Sequence, residues 1–199
     1  HQGGTPTFLT DTLPTYVGLA GELAAARIRH LVERARFFDH SWLVTEGHLA
    51  LDRFTAMIGV VGLAEAVDLL QERSGSPGTY GHEAAANEVS YAITRRLAEL
   101  VAATPLPYCG GSGGHGVLHS QAGLDTDEDV TAGTRIPVGT EPPLLEHLTA
   151  VAPHHRYYPS GVSDVLAFDD TATHNPRAIV DVIRGAFMTG MRDVTFNLE

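Results

Sequence analysis

The chain has 199 residues, 43% of them apolar, and a formal net charge of −11; all 13 of its basic residues are arginine. The lack of lysine excludes Schiff-base chemistry and a P-loop within this chain. An acidic chain without a basic run is a poor nucleic-acid binder, because that affinity comes mostly from phosphate neutralisation, so no nucleic-acid partner is expected. The single cysteine, Cys109, permits no internal disulfide and indicates a reducing, cytoplasmic setting.

No apolar run approaches the roughly 20 residues that span a bilayer, so no membrane partner is expected. Nothing at the start resembles a signal peptide. The chain begins at His1 rather than Met, so its start is expected to be processed, trimmed or internal to a longer protein.

The opening "HQGGTPTFLTDTLP" reads as a loosely held, turn-rich segment. Gly18 to Phe38 spaces Leu23, Ala26, Ile28, Leu31, Val32 and Ala35 between charges, the pattern of an amphipathic helix. After a short connection, with Asp52 suited to an N-cap, "FTAMIGVVGLAEAVDLL" (Phe54 to Leu70) reads as a buried helix in which Gly59 and Gly62 permit close packing. "RSGSPGTYG" is a loop, and a third helix is predicted from about His82 to Ala103.

Residues 108–143 are the most irregular part, a long loop of the kind that is functional or disordered, with "GVLHSQAG" as a short strand inside it. "PLLEHLTAVA" predicts a short helix and "VSDVLAF" a strand. "NPRAIVDVIRGAFMTGM" predicts a helix with Asn175 at N-cap and Pro176 at N1, and the closing "DVTFNLE" alternates as a strand does. This order suits an α/β fold in which loops at strand ends carry the chemistry.

Four constellations bear on chemistry. In "GGSGGHGVLHSQAG", His115 and His119 have a metal-ligand spacing only if helical, which the glycines oppose. A strand would instead put His119 and Gln121 on one face, pointing into a pocket together. In "CGGSGG", Cys109 is either a reactive thiol or an incidental one on a flexible loop. In "TRIPVGTEPP", Arg135 is suited to clamp a carboxylate or phosphate, and equally to pair with Glu141.

The fourth is "PHHRYYP". If extended, it sends about half of His154, His155, Arg156, Tyr157 and Tyr158 inward. There they would line a pocket and orient a polar substrate, with Asp164 able to set a histidine's tautomer. No GxSxG, HExxH, GxGxxG or CxxC pattern is present, so hydrolase, zinc and dinucleotide readings lack support.

Across "EGHLALDRFTAMIGVVGLAEAVDLL", "YGHEAAANEVSYAI", "LHSQAGL", "GTRIPVGTEPPLLEHLTAVAPHHRYYPSGVSDVL" and "NPRAIVDVIRGAFMTGMRDVTFNL" the chain resembles the YjjI-type glycyl radical enzymes, relatives of pyruvate formate-lyase and anaerobic ribonucleotide reductase. The resemblance implies a ten-stranded α/β barrel of two halves, entered by a cysteine loop and a glycyl loop. It also implies a separate iron–sulfur, S-adenosylmethionine activase that installs the radical, and thiyl-mediated hydrogen abstraction from a small polar substrate.

The family's Arg-x-x-Gly-Tyr-like motif is expected after the segment resembling "DVTFNL", and its cysteine loop upstream of "TPTFLTDTLP". Residues 1–199 are therefore expected to form a single partial domain, the second half of such a barrel without the glycyl loop. It would bind no cofactor itself and be inactive alone, with exposed strand edges leaving room for a homo-oligomer. His119, Gln121, Arg135, Glu141, His154, His155, Tyr157, Tyr158 and Asp164 are the candidate substrate-binding residues. The alternatives are a non-catalytic ligand-binding or structural piece and, more weakly, a metal-dependent enzyme using His115, His119, His154 and His155.

Overall fold

The computed structural model describes residues 4–76, 78–120, 130–159, 161–162, 164–168 and 170–198. Gln121 lies outside them. The chain is of the α/β class. It divides into two compact units, one of Pro6–Ile58 with Arg95–Leu118, the other of His1–Thr5, Gly59–Thr94 and His119–Glu199.

In the first of these units the turn-rich opening is helical. A π-turn, Phe8–Thr12, leads into helix α1, Leu13–Arg29, and a second π-turn, His30–Arg34, follows. The expected apolar face is displaced: Leu23 is 62% exposed, and the buried stripe is Val17, Gly21 and Ile28. Small residues are the reason. A β-carbon at Gly21 would press on Thr104, and Ala24, Ala25 and Val32 pack with Ile28, Leu106 and Cys109.

Asp52 caps no helix; it sits in a 3-10 turn, Leu51–Arg53. Cys109 is only 1% exposed. The glycines after it are held, because a β-carbon on Gly110 or Gly111 would run into the backbone carbonyls of Asp52 and Arg53. The flexible-loop expectation for "CGGSGG" is replaced by a packed turn.

The run from Phe54 to Leu70 is not one helix. Strand β1, Met57–Val60, precedes helix α2, Leu63–Ser74, with Gly62 turning between them at φ +77°. Four β-strand residues within an apolar run look like helix by hydropathy alone; the left-handed glycine makes the break. Helix α3 is Ala84–Ala103 and strand β2, which pairs with β1, is Val117–Ser120.

In the second unit, helix α4, Leu144–Val151, runs directly into a 3-10 turn, Ala152–Tyr157. Strand β3, Val165–Phe168, helix α5, Pro176–Thr189, and strand β4, Thr195–Leu198, form a parallel β-α-β unit in the register Val165↔Thr195 to Phe168↔Leu198. Asn175 occupies the N-cap position of α5, although its side chain makes no capping bond.

Leu148, Ala152, Leu166, Ala186 and Met191 form the core beneath this unit, with Phe168, Val182 and Val194 against them. Each large side chain buried there contributes roughly 1.5–3 kcal/mol. Among the described residues the strands form two two-stranded sheets, neither closed. No helix among them is long and apolar enough to cross a membrane.

Candidate functional site

The "PHHRYYP" segment is a 3-10 turn and not an extended strand, because Pro153 enters near the first position of a helical turn, where its fixed φ suits continuation of α4. The expected alternation is therefore replaced by a period of three. His154, His155 and Tyr158 are fully buried. Arg156 is exposed and lies 4.8 Å over the half-buried ring of Tyr157, so these two stay outside the buried group.

His154 has a protein partner on each ring nitrogen. The Ser90 hydroxyl donates its proton to Asn87 O at 2.7 Å, so toward His154 it accepts, from Nε2–H at 3.2 Å. The Thr94 hydroxyl then donates to Nδ1 at 2.9 Å. Desolvation, aided by His155 and Arg156, lowers the His154 pKa to about 3, so the ring is neutral at neutral pH. The Tyr91 ring lies 5.1 Å away and that of Tyr80 5.9 Å. Their hydroxyls donate to Ala150 O and Thr134 O.

His155 is held differently. The backbone N–H of Arg192 donates to its Nδ1 at 3.1 Å. A backbone amide can only donate, so the neutral ring carries its proton on Nε2, and Nε2 is buried without a partner. Burial lowers the His155 pKa, against the opposing pull of Asp193 and Asp164. The Tyr158 hydroxyl, beside Thr94, makes no hydrogen bond of ordinary geometry; burial raises its pKa, so it too keeps its proton.

Asp164, placed just before β3, pairs with His147 of α4, a histidine outside the His–Tyr turn. Asp164 Oδ2 lies 2.6 Å from His147 Nε2, with side-chain exposures of 2% and 4%. Asp193, next to Arg192, is packed so closely on Gly161 that a β-carbon there would run into its carboxylate. Gly161 also has φ +84°. Gly161→Ala is expected to destabilise the fold by about 1–3 kcal/mol in urea titration.

The remaining candidates lie around this group. His119 is half-buried on β2, facing away from the buried Ser120. Arg135 is 2% exposed, whereas Glu141 is exposed and accepts the Gly139 N–H at 2.7 Å. The two occupy different surroundings. A cleft of about 380 Å³ opens over Tyr91, between His82, Asn87, Glu146 and Thr149; none of the eight described residues among those expected from sequence lines it. Among the described residues no three His, Cys, Asp or Glu side chains gather as a metal-holding group.

Sequence reasoning missed Ser90, Tyr91, Thr94, His147, Arg192 and Asp193. One signal was legible: Asn87, Ser90 and Thr94 recur at helical intervals as a polar stripe within α3, and His147 lies on the same α4 face as Val151.

The chain matches the family model described as glycyl radical enzyme YjjI-like over residues 2–199. It is 47% identical over 192 residues to the uncharacterised protein YjjI of Escherichia coli (strain K12), covering 96% of this chain and 37% of that protein. It is 37% identical over 194 residues to an uncharacterised protein of Haemophilus influenzae, covering 96% of this chain and 38% of that one. The chain thus spans little more than a third of the length of these relatives. Residues from α1 to β4, including the buried His–Tyr turn, fall within the matched range, and the chain belongs to the YjjI-like glycyl radical enzyme family.

Proposed function

We propose that residues 1–199 are one partial domain, the second half of a ten-stranded α/β barrel in a glycyl radical enzyme that abstracts hydrogen from a small polar metabolite. The family supports radical chemistry as the reaction class. In this reading the radical is installed by a separate iron–sulfur, S-adenosylmethionine activase, the protein is cytoplasmic, and self-association involves open strand edges. Neither the thiyl cysteine nor the radical glycine is assigned to a residue of this chain; Cys109 is core, and the sequence has no Gly-Tyr pair.

The observation that carries the reading is the buried turn with two unsatisfied donors, His155 Nε2–H and Tyr158 O–H. Buried polar groups are ordinarily bonded, and each exception marks a missing partner. A ligand supplies that partner here. Both donors are buried, which suits holding a polar substrate while water is kept from a reactive intermediate. His154 is proposed as the residue that fixes the turn against α3, and His119 and Arg135 as neighbours of the wall. Gln121, Glu141 and Tyr157 are proposed as contacts nearer its edge.

The test is anaerobic activation of a full-length family member with its activase. Electron paramagnetic resonance is expected to show a glycyl doublet, and the 199-residue chain treated alike is expected to show none. Substitutions at the positions matching His155 and Tyr158 are expected to leave the doublet intact while weakening substrate turnover tenfold or more. A full-length protein that never forms a doublet, or a doublet from these 199 residues, overturns the reading.

A further inference from the structure

Helix α1, Leu13–Arg29, carries two apolar faces, and one of them stands open. Val17, Gly21 and Ile28 are buried, and Ala24 and Ala25 pack on the core of Ile28, Leu106 and Cys109. Tyr16, Leu19 and Leu23 are 63%, 56% and 62% exposed. Their spacing of three and then four residues aligns them in one stripe, about 150° round the helix from the buried one. Ala26 extends the stripe by a further turn and is exposed as well. Glu22 and Arg27, both exposed, flank it, as a polar rim surrounds an apolar contact.

A surface helix of a globular protein turns one apolar stripe inward and a polar face outward. A helix apolar on opposite faces belongs inside a larger protein. Single exposed apolar side chains need no cover, but these three adjoin on one face and form a contiguous patch. The area then decides between occupants. Three such side chains offer on the order of 300 Å², against roughly 800 Å² per partner in a stable complex of separate chains. A patch this small suits a segment of the same polypeptide, because connection through the backbone removes most of the translational and rotational cost of association. The family has such chain to offer: more than half the length of each relative lies outside the segment matched here.

We infer that in full-length members of the family a segment outside the matched range lays an apolar face on the stripe of Tyr16, Leu19 and Leu23, making α1 an internal helix. Leu23, expected from sequence to be buried, is buried there by chain beyond these 199 residues. This depends on the length of the relatives and is independent of the radical reading.

Hydroxyl-radical footprinting of the 199-residue chain and of a full-length family member, read at residue level by mass spectrometry, is the test. Each rate is divided by that of the same residue in the urea-unfolded protein. In the 199-residue chain Tyr16, Leu19 and Leu23 are expected to react at least fivefold faster than Val17 and Ile28. In the full-length protein the matching positions are expected to slow at least fivefold, at every protein concentration. Leu19→Gln combined with Leu23→Gln is expected to leave the melting temperature of the 199-residue chain within about 2 °C. The same pair is expected to lower that of the full-length protein by more than about 5 °C, or to prevent its folding.

Equal labelling of the stripe in both proteins overturns the inference, as does protection already present in the 199-residue chain. Protection in the full-length protein that disappears on dilution also overturns it, because the occupant is then a second copy. So does an equal loss of stability in the two proteins on substitution. A missing glycyl doublet leaves all of these results unaffected.

Discussion

Asp164→Ala is expected to lower the stability of the fold by about 3–5 kcal/mol, the usual effect of removing one partner of a buried pair. The carboxylate bonds His147 Nε2 at 2.6 Å where neither side chain reaches solvent. Without it the imidazole is left in the core beside Leu148 and Val151 with no acceptor and no water. In a chain of this length the loss corresponds to a drop in melting temperature of roughly 6–20 °C.

His147→Ala has a similar cost, since it strands the carboxylate. The double variant is expected to lose less than the sum of the two, by at least about 1.5 kcal/mol, because the second substitution removes the group the first left unpaired. Urea titration of the four proteins closes the cycle, and additive losses would show that the pair is not coupled. The pair ties α4, which leads into the His–Tyr turn, to the start of β3, so it fixes the turn from behind.

Acid is expected to unfold the protein through His154. Its folded pKa of about 3 lies below the ordinary 6.5, so between those values the unfolded chain binds the proton that the folded chain refuses. Stability contributed by the neutral ring is complete above pH 6.5 and is lost as pH falls toward 3. Between pH 7 and pH 4.5 the loss is about 2.5 kcal/mol. His155, also lowered, adds to it.

Asp193 acts in the opposite direction. Burial raises its pKa, so its folded form gains protons first, and the penalty for its charge is relieved as pH falls through that raised value. Stability measured by urea titration at both pH values gives the net slope. His154→Gln, which keeps a hydrogen-bonding side chain but does not titrate, is expected to remove most of it. An unchanged slope in that variant would place the acid sensitivity elsewhere.

Much of the second unit was legible in the sequence because its patterns are local. Asn175-Pro176 marks the start of α5 by backbone geometry, and the alternating "DVTFNL" reads as β4. The strand hidden in "FTAMIGVVG" was not legible, since four residues within an apolar run carry no period of their own. The β-branched Ile58, Val60 and Val61 before Gly62 were the hint. The face of α1 was misjudged because Gly21, Ala24 and Ala25 pack more closely than the larger Leu23.

At the site, the residues of the His–Tyr turn were legible, but their roles were not. Hydropathy does not distinguish His154, satisfied at both nitrogens, from its neighbour His155, satisfied at one. That difference arises from Ser90 and Thr94 some sixty residues before the turn and from Arg192 thirty-seven after His155. Pairings over such separations have no local signature.

The buried turn as a ligand wall is tested most directly by a crystal structure of a full-length family member soaked in acetamide. The expected result is an enclosed cavity in which a residue matching His155 or Tyr158 donates to the ligand, while the residue matching His154 stays bonded to its serine and threonine. A turn packed without a cavity, or one whose two donors are bonded to other protein groups, would contradict it.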